Sequence, residues 1–487
     1  MEENYLHSLE SIPLNKIVRE DYRNYQIYTL MDRAIPYLQD GLKPVQRRIL
    51  YTLWKYQSKG LQKVSAATGL VLTLHPHGPA SIESAIVNLA QDYTFSNNYP
   101  LIDKKGYFGE RMETSPAASR YIECKLGELA KIILFDDMNQ VDMVSNYDEK
   151  VMEPKALYPK LPIMLLNGAE GIGTGFSSVI PSFSHKEVID SMIKMVETGK
   201  PKKLKPFVNN YDQKIEVDSR GRILYRMKFE QVGEKIYITE IPRNYDSTRL
   251  YRYLSKFIDS GFLKDFIDSS VDNRIKVELI FKRGESPSLD EVKEKLGCST
   301  SQVPNYTLIT DDGIKIFETP EEIIEIFTLR RLDVVKKRYQ LFSKDLEEKI
   351  RLNNEIIKFI KKKEYEKATK SKNRKTFIEY LEKQKYINRD YLADMAIYRM
   401  TKEEVQKRVL MVENDKASLK KYTKIANSST LIKKKLVEEL YEVRDKIDNL
   451  IKSRESEKKK VYKEIEKQTK KSTKKASKKA KKAKKKN

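Results

Sequence analysis

The sequence predicts an α+β chain of several domains, and three observations carry that expectation. At 487 residues it is longer than one hydrophobic core usually organises, and about three domains are expected. The apolar period changes along the chain, from helical near the N-terminus to alternating in the middle and heptad-like after Pro320. The final stretch loses its apolar residues and turns to lysine.

The elements follow in order. Residues 1–30 are read as an N-terminal arm. Pro44 stands where a helix can start, and Ile49, Leu50, Leu53, Trp54 and Tyr56 then recur at helical spacing. Gln46, Arg47 and Arg48 are thereby expected on an exposed first turn, a helix presenting its basic end. Pro79 opens a second helix with Ile82, Ala85, Ile86 and Leu89 as its stripe. A third is expected through Ile122, Leu126, Leu129 and Ile133, just after Arg120-Tyr121. Three short helices and a glycine-bearing connector within 31–145 suggest a helix-turn-helix relative.

From 146 to 319 short alternating segments such as 235–241 and 275–280 read as strands, with helical patches such as 248–258 between them. After Pro320 the pattern is long, charged and helical. Phe327, Val334 and Leu341 lie seven apart, followed by Leu346, Ile350 and Ile357. Leu436, Leu440, Val443, Ile447 and Leu450 then repeat at spacings of four, three, four and three, a coiled-coil seam. Two antiparallel arms are expected over 320–364 and 428–462, each about 50 Å long at about 1.5 Å per residue. Residues 365–427 must form a helical cap that reverses the chain. The tail, 463–487, is low in complexity, cannot bury apolar area and is expected to be disordered.

Lysine and arginine exceed the acids by 24, and residues 467–487 supply half of that excess with 12 lysines and no acid. The body is basic without its tail. No lipidated or amphipathic anchor accompanies the charge, so the polyanion it favours is nucleic acid rather than a membrane surface. Two cysteines, Cys124 and Cys298, make neither a disulfide framework nor a zinc site. With no signal-like start and no membrane-length apolar run, a soluble protein of the cytoplasm is expected.

One pair carries chemistry. Arg120-Tyr121 proves little alone among 29 tyrosines. A tyrosine hydroxyl does become a usable nucleophile toward phosphorus once cations neutralise the phosphodiester. Candidates for that work lie upstream: Arg33, Lys43, Arg47, Arg48, His75 and His77. A phenol holds its proton at neutral pH, so His77, or less readily His75, is a candidate base or phosphate positioner. The glycines at 168, 171, 173 and 175 lack both the dinucleotide spacing and a following lysine, and no phosphate-binding loop is present elsewhere.

Four segments in order, residues 40–48, 74–78, Arg120-Tyr121 and 167–175, closely resemble the breakage-reunion subunit of type IIA DNA topoisomerases, the gyrase A and topoisomerase IV A type. The resemblance is strong over about the first 185 residues and weaker through the later helices, and in size the chain is closest to T-even phage members. It implies a winged-helix DNA-cleavage domain over 31–145 with Tyr121 on its rim. A tower domain over 146–319 and a coiled coil whose cap is a dimerising exit gate follow. It also implies that Tyr121 makes a 5′-phosphotyrosyl bond to DNA, with Arg33 and Arg120 holding the scissile phosphate. Lys43, Arg47, Arg48 and Lys63 would contact DNA, and Ile172 would wedge between base pairs.

The family supplies Mg²⁺ through a carboxylate cluster. No Asp-x-Asp stands here, and Ile172 follows Glu170-Gly171 where the metal motif would have Asp. The resemblance therefore implies a second subunit that carries the metal site and the ATPase, with double-stranded DNA and a second copy of this chain as the other partners. A phage origin would put the complex in the host-cell cytoplasm. Two rivals compete. A non-catalytic DNA-binding architectural protein leaves Arg120-Tyr121 and the paired histidines without a role. A tyrosine recombinase should show His-x-x-Arg, whereas Gly78 and Ala80 stand three residues after His75 and His77.

Overall fold

The structure, a computed structural model, describes Leu14, residues 17–56 and residues 60–483, the side chains of 458 and 460–483 excepted. Most of the N-terminal arm before Ile17 and the last four residues of the tail lie outside the described residues. The chain forms two compact units, 1–328 with 439–487 and 329–438.

The first unit begins with helix α1 (Arg23–Thr29), flanked by π-helical turns Ile17–Tyr22 and Leu30–Ala34. Leu30 and Ala34 are buried with Ile35 and Ile309, which anchors the second turn while Arg33 stays at the surface. Helix α2 (Pro44–Lys55) starts at its proline, and the Lys43 N–H donates to Gln46 Oε1 at 3.0 Å. Ile49, Leu50 and Leu53 form its buried face.

Strand β1 (Gln62–Lys63), helices α3 (Val64–Val71) and α4 (Pro79–Ala90), and strands β2 (Ile102–Lys105) and β3 (Glu123–Leu126) follow. The strands form an antiparallel sheet in the order β1-β3-β2, with Gln62 and Lys104 both opposite Cys124. This corrects the third helix expected from the sequence. Ile122, Cys124 and Leu126 are buried at strand period, Gly127 packs against Leu101, and only Glu128–Leu134 (α5) is helical. Ile122, Leu126, Leu129 and Ile133 satisfy a helix spacing by running across that junction.

A short hairpin, β4 (Met143–Ser145) and β5 (Met152–Pro154), precedes α6 (Ile163–Leu166), the hairpin β6 (Ala169–Ile172) and β7 (Ser177–Ile180), and α7 (His185–Thr198). Two further sheets are built from β8 (Glu216–Val217), β9 (Ile223–Arg226), β10 (Lys228–Val232), β11 (Lys235–Glu240), β12 (Asp265–Asp268), β13 (Val277–Ile280) and β14 (Ser299–Gln302). Their orders are β14-β9-β8 and β10-β11-β13-β12, with helices α8 (Ser247–Asp259) and α9 (Leu289–Leu296). Ile236, Ile238, Val277 and Leu279 meet Leu250, Leu254 and Val292 in one core. Strands expected at 235–241 and 275–280 and the helix expected at 248–258 correspond to β11, β13 and α8. The hairpin β15 (Tyr306–Thr310) and β16 (Gly313–Phe317) carries Ile309 to the Leu30 cluster.

Helices α10 (Pro320–Lys361), α11 (Arg374–Lys383), α12 (Arg389–Ala393), α13 (Lys402–Ala426) and α14 (Ser429–Ala483) complete the chain. In the second unit Ile356, Phe359, Phe377, Leu381, Tyr386 and Leu392 form the core. Helix α13, within the segment read as cap, lies against α10, where the Tyr422 ring meets those of Tyr339 and Phe342, each at 5.7 Å. In the first unit Leu440, Val443 and Ile447 are buried, and their neighbours Arg444 and Asp448 pair with Asp190 and His185 of α7. A four-three spacing specifies an apolar stripe and leaves the partner open.

Helix α14 runs through Ala483, where the sequence reading expects a disordered tail from 463. Lysine and alanine are both good helix formers, and neither glycine nor proline interrupts 429–483.

Candidate active site

Arg33, at the end of the second π turn, reaches His77 in the Leu74-Gly78 loop before α4. Its Nη2 lies 2.9 Å from His77 Nδ1. On the other side of the ring, His77 Nε2 lies 2.9 Å from Asp32 Oδ2 and 3.2 Å from the Tyr28 hydroxyl. Gly78 follows at φ +86°, a conformation costly for any side chain with a Cβ, and Pro79 starts α4 immediately. That sharp entry sets His75 and His77 edge to face, 4.9 Å apart.

His75 repeats the pattern one residue deeper. It is buried, and Arg48 Nη1 lies 3.1 Å from its Nδ1 while Ser81 Oγ lies 3.3 Å from its Nε2. Burial first and the Arg48 charge second push its pKa down to about 4, so it is neutral at physiological pH. Arg48 itself donates fork to fork to Glu153 of β5, at 2.7 and 3.0 Å. Its guanidinium also lies 3.6 Å from Asp32.

The exposed basic turn expected at 46–48 is corrected here. Arg47 is buried, donates to Asp40 at 2.6 and 3.2 Å, and lies 4.7 Å over the Tyr37 ring. Asp40 is fully buried and accepts as well from the Leu42 and Leu157 N–H groups. An inaccessible carboxylate needs a paired cation, and Arg47 supplies it. Arg48 is likewise largely covered.

Tyr121 belongs to a separate group, at the end of the long connection from β2 to β3. Ile122 is buried, so its predecessor points outward, and Tyr121 is 65% exposed. The backbone beneath it is held closely. Tyr121 N–H donates to Ala118 O at 2.9 Å, Val64 N–H to Ile122 O at 3.0 Å, and Lys63 Nζ to Tyr121 O at 3.4 Å. Lys63 also pairs with Glu123 at 2.9 Å. The exposed Arg120 guanidinium lies 5.0 Å over the Tyr121 ring, within cation–π range. Among the described residues no hydrogen bond or ion pair joins Arg120 or Tyr121 to Arg33, His75 or His77.

Farther back, Arg111 anchors the same connection. Its guanidinium is buried and donates to the carbonyls of Ile241, Pro242 and Tyr245 at 2.6 to 3.0 Å.

Ile172, at the tip of β6, is 89% exposed. The glycines beside it serve close packing. A Cβ on Gly173 would overlap Leu30, and one on Gly171 would approach Lys43 Nζ to 3.6 Å. Burial lowers the Lys43 pKa against the charge of Glu170, which is itself paired with Arg243. Among the described residues no group of three or more His, Cys, Asp or Glu is arranged to hold a metal ion, and Asp32, Glu153 and Glu170 are each engaged by arginine. These residues do not fit a Mg²⁺ site. No helix among the described residues is long and apolar enough to cross a membrane.

Sequence reasoning missed Tyr28, Asp32, Ser81, Glu153 and Arg111. Asp32 had one usable signal, an acid beside Arg33. Glu153 lies 105 positions from the arginine it holds.

A profile of the family described as the A-type subunit of DNA gyrase/topoisomerase IV matches residues 33–441. The chain is 31% identical over 370 residues to the mitochondrial DNA topoisomerase 2 of Dictyostelium discoideum, covering 73% of this chain and 28% of that one. It is 30% identical to the DNA gyrase A-type subunit of Haloquadratum walsbyi, over 68% and 41% of the two chains. With the DNA topoisomerase 4 A-type subunit of Borreliella burgdorferi it shares 31%, over 69% and 54%. It thus spans about half of these relatives or less. The fold matches that of the Plasmodium falciparum topoisomerase II DNA-binding, cleavage and re-ligation domain with a TM-score of 0.76 at 23% identity, over 89% of this chain and 64% of that one.

Proposed function

This chain belongs to the family of DNA gyrase/topoisomerase IV A-type subunits, and we propose that it is the DNA-cleaving and rejoining subunit of a type IIA topoisomerase. Tyr121 Oη forms a bond to phosphorus as the P–O3′ bond breaks. The phenolic proton leaves to solvent and the departing 3′ oxygen takes one up. The 5′-phosphotyrosyl ester keeps the energy of the broken diester, so the 3′ hydroxyl reverses the exchange without nucleotide hydrolysis.

The observation that carries this reading is the setting of Tyr121, an outward-facing phenol on a closely held backbone with Arg120 against its ring. Arg120 and Arg33 grip the scissile phosphate; a guanidinium stays charged and matches two phosphate oxygens at once. Lys43 and Lys63 add positive charge along the path of the duplex. Exposed Ile172 is the wedge, kinking DNA at the cost of a few kcal/mol of stacking.

Residues 31–145 act as a winged-helix cleavage domain. The order α2, β1, α3, α4, β2, β3 supports this, with Tyr121 in the wing-like connection. Residues 146–319 are the tower, and 320–462 the coiled-coil arms and exit-gate cap. Two copies place one Tyr121 on each strand, and a second duplex passes through the break for relaxation or decatenation. A second subunit contributes Mg²⁺ and the ATP-hydrolysing domain, and the complex works in the cytoplasm.

Denaturant trapping with DNA and that subunit tests the reading. Tyr121→Phe should lose covalent adducts and keep DNA binding. Undiminished adducts from the variant reject it, and binding without adducts from the unaltered chain favours the architectural alternative.

A further inference from the structure

Hydrogen-bond polarity at His77 assigns a task to a residue that the cleavage chemistry leaves without one. A guanidinium carries five N–H donors, no acceptor, and does not give up its proton in proteins. With Arg33 Nη2 at 2.9 Å, His77 Nδ1 must offer a lone pair and carries no hydrogen. The single proton of the neutral imidazole then sits on Nε2, which faces the acceptor Asp32 Oδ2 at 2.9 Å. The Tyr28 hydroxyl donates to the same carboxylate oxygen at 3.4 Å. A doubly protonated ring would set one N–H against another at Arg33.

We infer that Asp32 is a positioning residue: it holds His77 as the neutral, Nε2-protonated tautomer, and His77 in turn aims Arg33. Asp32 and Arg33 are adjacent in the π turn Leu30–Ala34, yet their side chains grip opposite nitrogens of one ring. The exposed Arg33 keeps its remaining N–H groups for an oxyanion. His75 has the same polarity, with Arg48 on Nδ1 and Ser81 on Nε2. Neither histidine has a free lone pair, so the choice between base and positioner falls on positioner.

For its effect on cleavage the inference rests on the function proposed above, but its structural core can be tested alone. Nitrogen-15 labelling of the four histidines of the full-length chain, with His77→Gln to assign the signal, reads the tautomer directly. At pH 7 His77 should show Nε2 protonated and Nδ1 bare. Asp32→Ala and Asp32→Asn should mix the tautomers, while Asp32→Glu restores the single form. With DNA and the partner subunit present, Asp32→Ala and Asp32→Asn should slow adduct formation by roughly 10- to 100-fold, a usual cost of removing a group that orients a functional histidine. Asp32→Glu should recover most of it, with DNA binding unchanged throughout. A His77 ring protonated on Nδ1, or a tautomer indifferent to Asp32, overturns the inference whatever the adduct assay gives. If the unaltered chain forms no adduct while the tautomer behaves as described, the function fails and the positioning stands.

Discussion

Gly171 lies against Ala34 so closely that a Cβ added to it would overlap the Ala34 carbonyl oxygen. The hairpin that exposes Ile172 is therefore seated on the turn that carries Asp32 and Arg33. Ile172 and Arg33 therefore share one support. Gly171→Ala should destabilise the chain by about 1–3 kcal/mol, the usual range for overpacking. Denaturant unfolding measures this, and an unchanged midpoint would mean that the seat yields freely.

Ile172→Ala tests the proposed wedge apart from the scaffold. An 89% exposed side chain contributes little to folding, so stability should stay within about 0.5 kcal/mol. DNA bending measured by energy transfer between labelled ends should fall, and adduct formation with it. Full bending by the variant would return Ile172 to an ordinary surface role.

Arg47→Ala should behave in the opposite way. Removing it strands Asp40 as an unpaired buried carboxylate, at about 3–5 kcal/mol. The loss should appear in urea unfolding of the free protein, before any DNA is added. A stable variant with weakened DNA binding would restore Arg47 to the interface.

Arg120→Lys keeps the charge and loses the planar fork. Since Arg120 is exposed, Tm should hold, while adduct formation should drop by roughly 100-fold, the scale for losing one transition-state donor. An equal rate would show that charge alone suffices.

Glu240 gives a pH test away from the site. Burial raises its carboxyl to about 7, and Arg111, 3.8 Å away and committed to backbone carbonyls, offsets this only in part. The folded state thus binds a proton that the unfolded state has released. The stability this group contributes is present below about pH 4.5 and is lost as pH rises through about 7. His75 slopes the other way, its contribution being lost as pH falls from 6.5 toward 4. The difference between Glu240→Gln and the unaltered chain isolates the first effect. The variant should gain relative stability across that window, by a few kcal/mol at most, and a flat difference contradicts the assignment.

The parts of the site legible in the sequence were those with local signatures: Arg120 beside Tyr121, two histidines around one proline, glycines flanking an apolar residue. Contacts over distance were not. Nothing near Arg48 announces Glu153, and Arg47 and Arg48 look alike until Asp40 claims one of them. The fold behaved similarly. Strands β11 and β13 alternate cleanly enough to read, whereas α3 contains Thr68 and Gly69, poor helix formers held in place by burial of Val64, Ala67 and Val71. Leu126 and Ile133 suited a helix because periodicity cannot see that Gly127 abuts Leu101.

The central claim is tested most directly by digesting the denaturant-trapped protein–DNA complex and locating the nucleotide remnant by mass spectrometry. The remnant should sit on the peptide containing Ser119-Arg120-Tyr121, esterified to the Tyr121 oxygen. A remnant on any other side chain, or none on an active complex, contradicts the account.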